Sequence, residues 1–94
     1  MFVVVEHTVT DQESFWGPQA DEFVARLPKE VILHATYASA DGGRAVCLWE
    51  AESVDRLRNF LDPATAGMAK NTYLAVDPKR SRNLPGLRLP RKAA

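Results

Sequence analysis

The chain of 94 residues is long enough for one domain, and its 46% hydrophobic and 26% charged residues are typical of a folded globular protein rather than a disordered or fibrous one. Its 12 basic and 12 acidic residues cancel, and no apolar run approaches the ~20 residues of a membrane-spanning helix. The N-terminus shows no basic leader with a cleavage site, and the chain has one cysteine, so we expect a cytoplasmic protein without a signal peptide.

The zero net charge hides an asymmetry along the chain. Residues 1–78 hold all 12 acidic residues and six basic ones, whereas residues 79–94 hold the other six basic residues and no acidic one. We therefore divide the chain into a domain (1–78) and a basic C-terminal arm (79–94). The arm has no aromatic residue for base stacking and no amphipathic helical pattern, so we expect neither nucleic acid nor a membrane as a partner.

The apolar residues of the arm predict an extended segment that docks on the acidic body of its own chain or of a second subunit. A disordered end is the alternative. The arm residues that would make these contacts are Leu84, Pro85, Leu87, Leu89 and Pro90.

The first half of the domain predicts a strand and a broken helix. Phe2–Val9 is rich in β-branched residues and predicts a strand. Thr10–Glu13 has the form of a capping box, in which the threonine begins a helix. A Gly-Pro pair interrupts the apolar stripe that follows, so we expect a break near Trp16 and a main helix over Pro18–Leu27.

The second half predicts a hairpin, a helix and a closing strand. The strands Val31–Ser39 and Arg44–Ala51 flank a loop with two glycines, which accept the positive φ of a hairpin turn. Ser53 is predicted to cap a helix that Asp62-Pro63 interrupts. The remaining predicted elements are a short helical turn and a fourth strand, Ala64–Ala69 and Thr72–Val76.

The order β-α-β-β-α-β predicts a ferredoxin-like α+β domain, in which two helices cover one face of a four-stranded antiparallel sheet. A hairpin turn of two or four residues places one set of side chains on one face: His34, Thr36, Cys47 and Trp49. It places on the other face a more apolar set, which we expect to face the helices: Leu33, Ala35, Tyr37, Val46 and Leu48. A three-residue turn reverses this pairing. Because neither face is polar, we expect a homodimer formed through the sheets.

The stretch from Asp41 to Ala51, followed by a serine-capped helix and by Asn71–Val76, is similar to small proteins of the dimeric α+β barrel superfamily. In element order the likeness extends over residues 1–78. The resemblance implies two ferredoxin-like subunits with their sheets packed together, and a ligand pocket between each sheet and its helices. Some relatives near this subset are described as nickel-binding proteins. Others in the wider superfamily are cofactor-free monooxygenases, haem-degrading enzymes, and isomerases or cyclases, so no single activity is implied.

Binding of a small apolar or aromatic ligand, with no cofactor, is the function that we expect first. The predicted walls and polar anchor of its pocket are Trp16, Phe15, Tyr37, Trp49, Tyr73 and Asn71. A cofactor-free enzyme of the monooxygenase, isomerase or cyclase type is the alternative. Its general base would be His34 or His7, because imidazole titrates near neutral pH.

Binding of nickel or another transition metal is the second alternative. The candidate ligands are His7, His34 and Cys47, because imidazole and thiolate suit nickel, copper or zinc. The chain has no HxxH, HxH or CxxC spacing, so such a site needs ligands from separate strands or from two subunits. Without a metal, Cys47 is interpreted as a small buried hydrophobe and the histidines as hydrogen-bonded residues of the sheet.

Overall fold

The computed structural model describes residues 1–89, which form four strands and three helices. In chain order the elements are β1 (Phe2–Val9), α1 (Gln12–Phe15), α2 (Pro18–Ala25), β2 (Ile32–Ala38), β3 (Arg44–Glu50), α3 (Val54–Ala64) and β4 (Ala69–Ala75). The predicted α+β class is confirmed, with three helices in place of the two expected. No helix within this part of the chain is long and apolar enough to cross a membrane. Pro90, Arg91 and Lys92 of the predicted arm lie outside the described residues.

The central strand β1 organises the sheet. The strand order is β2-β3-β1-β4, and each pair of neighbours is antiparallel. The strands β1 and β2 are consequently parallel to each other and are separated by β3. This arrangement is compatible with a ferredoxin-like α+β fold.

The first helical region is broken between α1 and α2, as the sequence predicts. Pro18 lacks an N–H and therefore begins α2, where no intrahelical hydrogen bond is required of it. A Cβ on Gly17 would lie 2.8 Å from the carbonyl oxygen of Glu13, so only glycine fits at this junction. The second helix ends at Ala25 rather than at the predicted Leu27.

The predicted cap of the first helix is wrong by one residue. Asp11, rather than Thr10, accepts a hydrogen bond from the amide of Ser14, at 3.2 Å. The reason is that the amide of Thr10, which a capping box would direct to the Glu13 side chain, instead donates to the carbonyl of Met68 at 2.8 Å. Thr10 therefore lies outside the cap, and the helix begins after Asp11.

The helix α3 continues through the Asp-Pro pair that the sequence predicts to interrupt it. Ser53 caps its start as predicted, because its hydroxyl accepts the amide three residues later at 3.0 Å. Pro63 lies in the last turn, so it removes one hydrogen bond without breaking the helix. The residues that follow form turns instead of the expected helical turn, and β4 begins at Ala69 rather than at Thr72 because it pairs with β1 to the end of that strand.

The hydrophobic core lies on the sheet face that α2 and α3 cover. Its sheet layer consists of alternate residues of the two central strands, with Val3 opposite Trp49 and Val5 opposite Cys47. Leucines of α3 complete this core, and Phe23 of α2 packs against it.

The prediction of which hairpin face meets the helices is wrong. A four-residue turn joins β2 and β3, and Thr36 pairs with Cys47 as expected for such a turn. However, Cys47 and Trp49 face the helices, because they lie opposite the buried valines of β1. The expected core residues Tyr37 and Val46 are on the other face, and both are exposed.

A β-bulge between Leu33 and Ala35 explains the remaining difference between the predicted and the observed faces of the β2 side chains. Beyond the bulge, Leu33 pairs with Trp49 and packs against the core. The intervening His34 bonds to Glu50, which lies on the opposite face of β3 from Trp49. His34 and Cys47 are therefore separated by the sheet, contrary to the predicted grouping.

The sheet face turned away from the helices, which we call the open face, is largely apolar. Tyr37 is 70% exposed and Leu74 is 62% exposed, and both neighbour other apolar residues of this face. The charged residues Glu6 and Arg44 form an ion pair across β1 and β3. The open face thus combines a hydrophobic row with this ion pair and the exposed Lys70 of β4.

The basic arm returns to the sheet at Glu50. After β4, the described residues form no helix or strand, and the backbone amides of Arg88 and Leu89 donate to the Glu50 carboxylate at 2.9 and 2.7 Å. Burial by itself raises the pKa of this carboxyl, but hydrogen bonds from the Arg88 amide, the His34 ring and the Leu89 amide outweigh burial and hold the pKa below its ordinary value. A buried anion therefore anchors the arm on its own chain.

Truncation after Leu87 should destabilise the protein more than truncation after Leu89 does. Only the shorter chain removes both arm amides from Glu50, which leaves a buried carboxylate without two donors at a cost of about 1–3 kcal/mol. The stabilisation from these two hydrogen bonds should be present above the ordinary glutamate pKa of about 4.3. It should be lost as the pH falls through the lowered pKa of Glu50 in the folded protein, because the amides bind the ionised carboxylate. Urea unfolding of both chains across pH measures this difference. Equal stability at neutral pH would show that these contacts do not hold the arm.

Candidate functional site

A cavity of about 540 Å³ lies between the helices and the covered face of the sheet. Most of its lining residues are aromatic or aliphatic: Phe15, Trp16, Ala20, Phe23, Val24, Leu33, Trp49, Phe60, Leu61, Ala64 and Met68. The other lining residues are His7, Ser14, Gln19, Thr36, Cys47, Thr65 and the pair Glu22 and Arg26. A cavity of this size and composition suits a small organic molecule.

The break between α1 and α2 supplies an aromatic wall. Phe15 and Trp16 pack edge to face, with ring centroids 4.7 Å apart. The indole N–H of Trp16 donates to the carbonyl of Gly42 at 2.9 Å, which ties α1 to the hairpin. Gly42 has a φ of +76°, and a Cβ there would lie 2.7 Å from the Gln12 side chain, so the turn requires glycine. The broken helix and the glycine hairpin are thus fitted to each other beside the cavity.

His7 is held at the cavity wall by hydrogen bonds that extend into β4 and α3. Its partner across the β1–β4 pair is Asn71, whose Oδ1 lies 2.5 Å from His7 Nδ1. The Asn71 Nδ2 donates to the Asp62 carboxylate at 3.0 Å and to the Thr65 hydroxyl at 2.8 Å. The Tyr73 hydroxyl donates to the same carboxylate at 2.6 Å and is the main reason that the pKa of Asp62 lies below its ordinary value. The Asp62 carboxylate accepts only, so the Asn71 amide nitrogen faces it and the amide oxygen faces His7.

This network determines the protonation state of His7. Because Nδ1 must donate to the Asn71 oxygen, the neutral ring leaves Nε2 as an acceptor. Burial lowers the pKa of His7, and the hydrogen bond to Asn71 offsets this effect only in part. Within residues 1–89, no group forms a hydrogen bond to Nε2. His7 therefore brings a neutral, unsatisfied acceptor to the cavity wall.

Trp49 holds an unsatisfied donor behind the wall of the same cavity. The residue is 2% exposed, and its indole Nε1 is buried without a hydrogen-bond partner in the described part of the chain. A buried N–H without an acceptor costs about 1–3 kcal/mol. Trp49 lines the cavity through other atoms of its side chain, because Nε1 itself has almost no accessible surface.

Cys47 lines the cavity as a protonated thiol. Burial raises its pKa, and a hydrogen bond that the Thr36 hydroxyl can donate to the ionised sulfur lowers the pKa by a smaller amount. In the protonated form the thiol donates to the same hydroxyl at 3.5 Å. Because the thiolate is the nucleophilic form, this environment makes Cys47 unreactive. Its contribution to the wall is that of a small hydrophobe.

The cavity brings together part of the site predicted from the sequence. His7, Phe15, Trp16 and Trp49 line it. Asn71 and Tyr73 lie behind this wall, in the hydrogen-bond network that holds His7. His34 and Tyr37 are not in the cavity, because both belong to the open side of the sheet.

Sequence reasoning missed other parts of the wall. Phe23 and Phe60 stack with ring centroids 5.6 Å apart, but their positions on apolar helical stripes indicate only burial. Asp62 and Thr65 lie near the end of α3, where no spacing pattern points to His7. Finding them requires knowing that β1 pairs with β4, because the hydrogen-bond network of His7 reaches α3 only through β4.

The candidate metal ligands do not converge within one chain. His34 bonds to Glu50 at 2.9 Å beside the ring of Phe2, whereas Cys47 bonds to Thr36 on the covered face. Residues 1–89 contain no group of three His, Cys, Asp or Glu side chains placed to hold a metal ion. His7, His34 and Cys47 therefore do not fit a nickel site formed by a single chain.

Comparisons of the chain with protein-family models, with curated proteins and with solved structures found no significant match.

Proposed function

We propose that the cavity binds a small, predominantly apolar aromatic molecule. The observation that carries this proposal is an aromatic-walled space of about 540 Å³ beside which His7 Nε2 has no hydrogen-bond partner among the described residues. The space is open to solvent at exposed residues of α2 such as Glu22 and Val24, so a small molecule can enter it, and burial of its apolar walls favours binding. A ligand that fills it can also donate a hydrogen bond to His7 Nε2.

The aromatic walls favour a flat ligand. Phe15 and Trp16 stand edge to face on one side, and Phe23 and Phe60 form a stacked pair on another. Aromatic rings prefer offset-stacked or edge-to-face partners with centroids about 4.5–7 Å apart, and such pairs contribute about 0.5–1.5 kcal/mol beyond burial. The wall therefore supports binding of an aromatic ring better than binding of a flexible chain.

Filling the cavity should weaken binding of naphthalene, the simplest probe of the space. We expect Ala20→Phe to weaken naphthalene binding at least tenfold, since Ala20 lines the cavity and about 1.4 kcal/mol corresponds to this factor. Ala25→Phe is the matched control, because Ala25 lies on the same helix and is exposed outside the cavity. Titration calorimetry measures both affinities, and circular dichroism checks that both variants fold. Absence of naphthalene binding to the unsubstituted protein would contradict the proposal.

A cofactor-free enzyme with His7 as general base is the second candidate. The free Nε2 supports it, because this nitrogen is unprotonated in the neutral ring and belongs to a residue that lines the cavity. The lowered pKa keeps the ring in its basic form at neutral pH. His34, the other candidate base, bonds to Glu50 outside the cavity.

The tautomer of His7 can be measured directly. We expect nitrogen NMR to show protonated Nδ1 and unprotonated Nε2 in His7, with a pKa below the ordinary value of about 6.5. Asn71→Leu should lower that pKa further, because it removes the hydrogen bond that raises it. A His34→Gln variant assigns the signals of the two histidines. Protonation of Nε2 in the neutral ring would contradict both the network and the role as base.

We also propose that each chain is a ferredoxin-like subunit and that two chains pair through their open faces, as in a dimeric α+β barrel. Leu74, Val4, Leu48 and Ala35 form one row across all four strands, and helices cover only the opposite face. Exposed apolar surface of this kind favours association. The neighbouring Glu6–Arg44 pair carries both signs of charge, so a two-fold-related copy can place opposite charges together.

A charge on the open face should dissociate the dimer. We expect the unsubstituted protein to sediment as two chains at micromolar concentration and Leu74→Lys to sediment as one, because the lysine would be buried against apolar surface. Ala25→Lys is the control, since Ala25 is also exposed but belongs to α2, on the other side of the sheet. Sedimentation velocity measures all three. A single-chain species of the unsubstituted protein throughout the micromolar range would contradict pairing.

A further inference from the structure

We infer that α2 is a movable cover of the cavity, which swings about its two ends to widen the mouth for a ligand and then closes on it. This inference rests on the proposed ligand-binding function and adds how the site opens. It follows from a contrast within the described chain: few contacts hold α2, whereas the elements on either side of it are held firmly.

The attachment of α2 to the rest of the domain is weak and apolar. None of its eight residues is buried, and its least exposed residues, Ala20 and Phe23, are only half-buried. Phe23 stacks on Phe60 of α3 with ring centroids 5.6 Å apart, and Leu27, just after the helix, packs against the core. In the described part of the chain, the hydrogen bonds and the ion pair of α2 stay within residues 17–27, so no polar contact ties this helix to another element.

The segments around α2 are fixed in place. Before it, the indole N–H of Trp16 donates to the Gly42 carbonyl at 2.9 Å. After it, Val31 belongs to the core and β2 joins the sheet. Beside it, α3 buries Leu57 and Leu61 almost completely. Motion of the cavity wall is therefore confined to the segment between Trp16 and Val31.

Both ends of α2 have backbone that can serve as a hinge. Gly17 separates α1 from α2 in an extended conformation, with φ of −71° and ψ of 178°, and Pro18 has no N–H that could bond back to α1. At the other end, residues 26–31 form no helix or strand, and the amide of Val31 bonds locally to the Pro28 carbonyl at 3.3 Å. Short segments of this kind absorb the φ and ψ changes of a hinge motion.

The mouth of the cavity runs along α2. The residues of this helix and its C-cap that line the cavity are Gln19, Ala20, Glu22, Phe23, Val24 and Arg26. At 3.6 residues per turn they span about 200° of the helix circumference, whereas a helix packed on a core buries a stripe of about 100°. The cavity therefore extends along both flanks of α2 and leaves the helix room to move. Val24 is apolar yet 45% exposed at this mouth, so closure on a ligand would bury it.

Opening of such a cover is measurable because a short helix does not stay folded alone. Isolated helices of fewer than about 12 residues are marginal in water, and α2 has eight. When α2 leaves the core, its amides therefore lose their hydrogen bonds and exchange with solvent. A ligand that binds only under the closed cover reduces the open fraction about tenfold when its concentration is ten times Kd.

Hydrogen exchange of the whole chain, followed by NMR, tests the cover. We expect amides 22–25 of α2 to be protected about tenfold less, or weaker still, than amides 58–61 of α3, because only α2 opens without unfolding of the core. Naphthalene at ten times its Kd should slow exchange of the α2 amides by about tenfold.

Trimming Leu27 should loosen the cover without changing the cavity wall. Leu27 packs against the core and is not among the described residues that line the cavity. We expect Leu27→Ala to raise the association and dissociation rates of naphthalene several-fold together, with little change in Kd, because it favours the open position equally with and without ligand. Val54→Ala is the matched control, since Val54 of α3 packs against the same core outside the cavity, and neither rate should change. Stopped-flow fluorescence measures both rates.

The outcomes separate this inference from the proposed function. If naphthalene does not bind, the ligand-binding function is wrong and the cover falls with it. If naphthalene binds but amides 22–25 are protected as well as amides 58–61, or their exchange is unchanged by naphthalene, α2 is not a cover. Equal naphthalene rates in Leu27→Ala and the unsubstituted protein would show that the mouth admits ligand without motion of α2. Should Leu27→Ala fail to fold, the exchange rates of the unsubstituted chain decide between these outcomes.

Discussion

The alternation of side chains along β1 is the constraint on which both faces of the sheet depend. Val3, Val5 and His7 point to the covered face, and the residues between them point to the open face. Because β1 pairs with both β3 and β4, its register determines that Trp49 and Asn71 also belong to the covered side. A slip of one residue would move the whole set to the other face.

The sequence predicts features that depend on neighbouring residues. The span of β1, the break before Pro18 and the cap at Ser53 arise from β-propensity, a missing N–H and a local hydroxyl, so each is visible in a few letters. The capping box fails because the Thr10 amide donates to the carbonyl of Met68, far along the chain. Structure that depends on neighbouring residues is therefore predictable here, except where a distant residue forms a hydrogen bond with the backbone group that the local motif needs.

The candidate site depends mainly on such distant contacts. His7 and Asn71 were each predicted as site residues, but nothing in their spacing shows that they bond to each other across 64 positions. The bulge at His34 is equally invisible, since it shifts β2 by one residue without a proline or glycine to mark it. Residue types thus indicated the chemistry of the site, whereas strand pairing decided which of those residues share it.

Two adjacent residues of β3 show that burial alone does not decide whether a polar group is satisfied. The buried carboxylate of Glu50 receives hydrogen bonds from His34, Arg88 and Leu89, and this full satisfaction anchors the arm. Trp49 points to the opposite face, and its buried N–H receives no acceptor, which costs about 1–3 kcal/mol. This N–H has almost no accessible surface through which a ligand could reach it, whereas the unpartnered Nε2 of His7 is not buried in this way. His7 is therefore a polar group of the wall that a ligand in the cavity can bond.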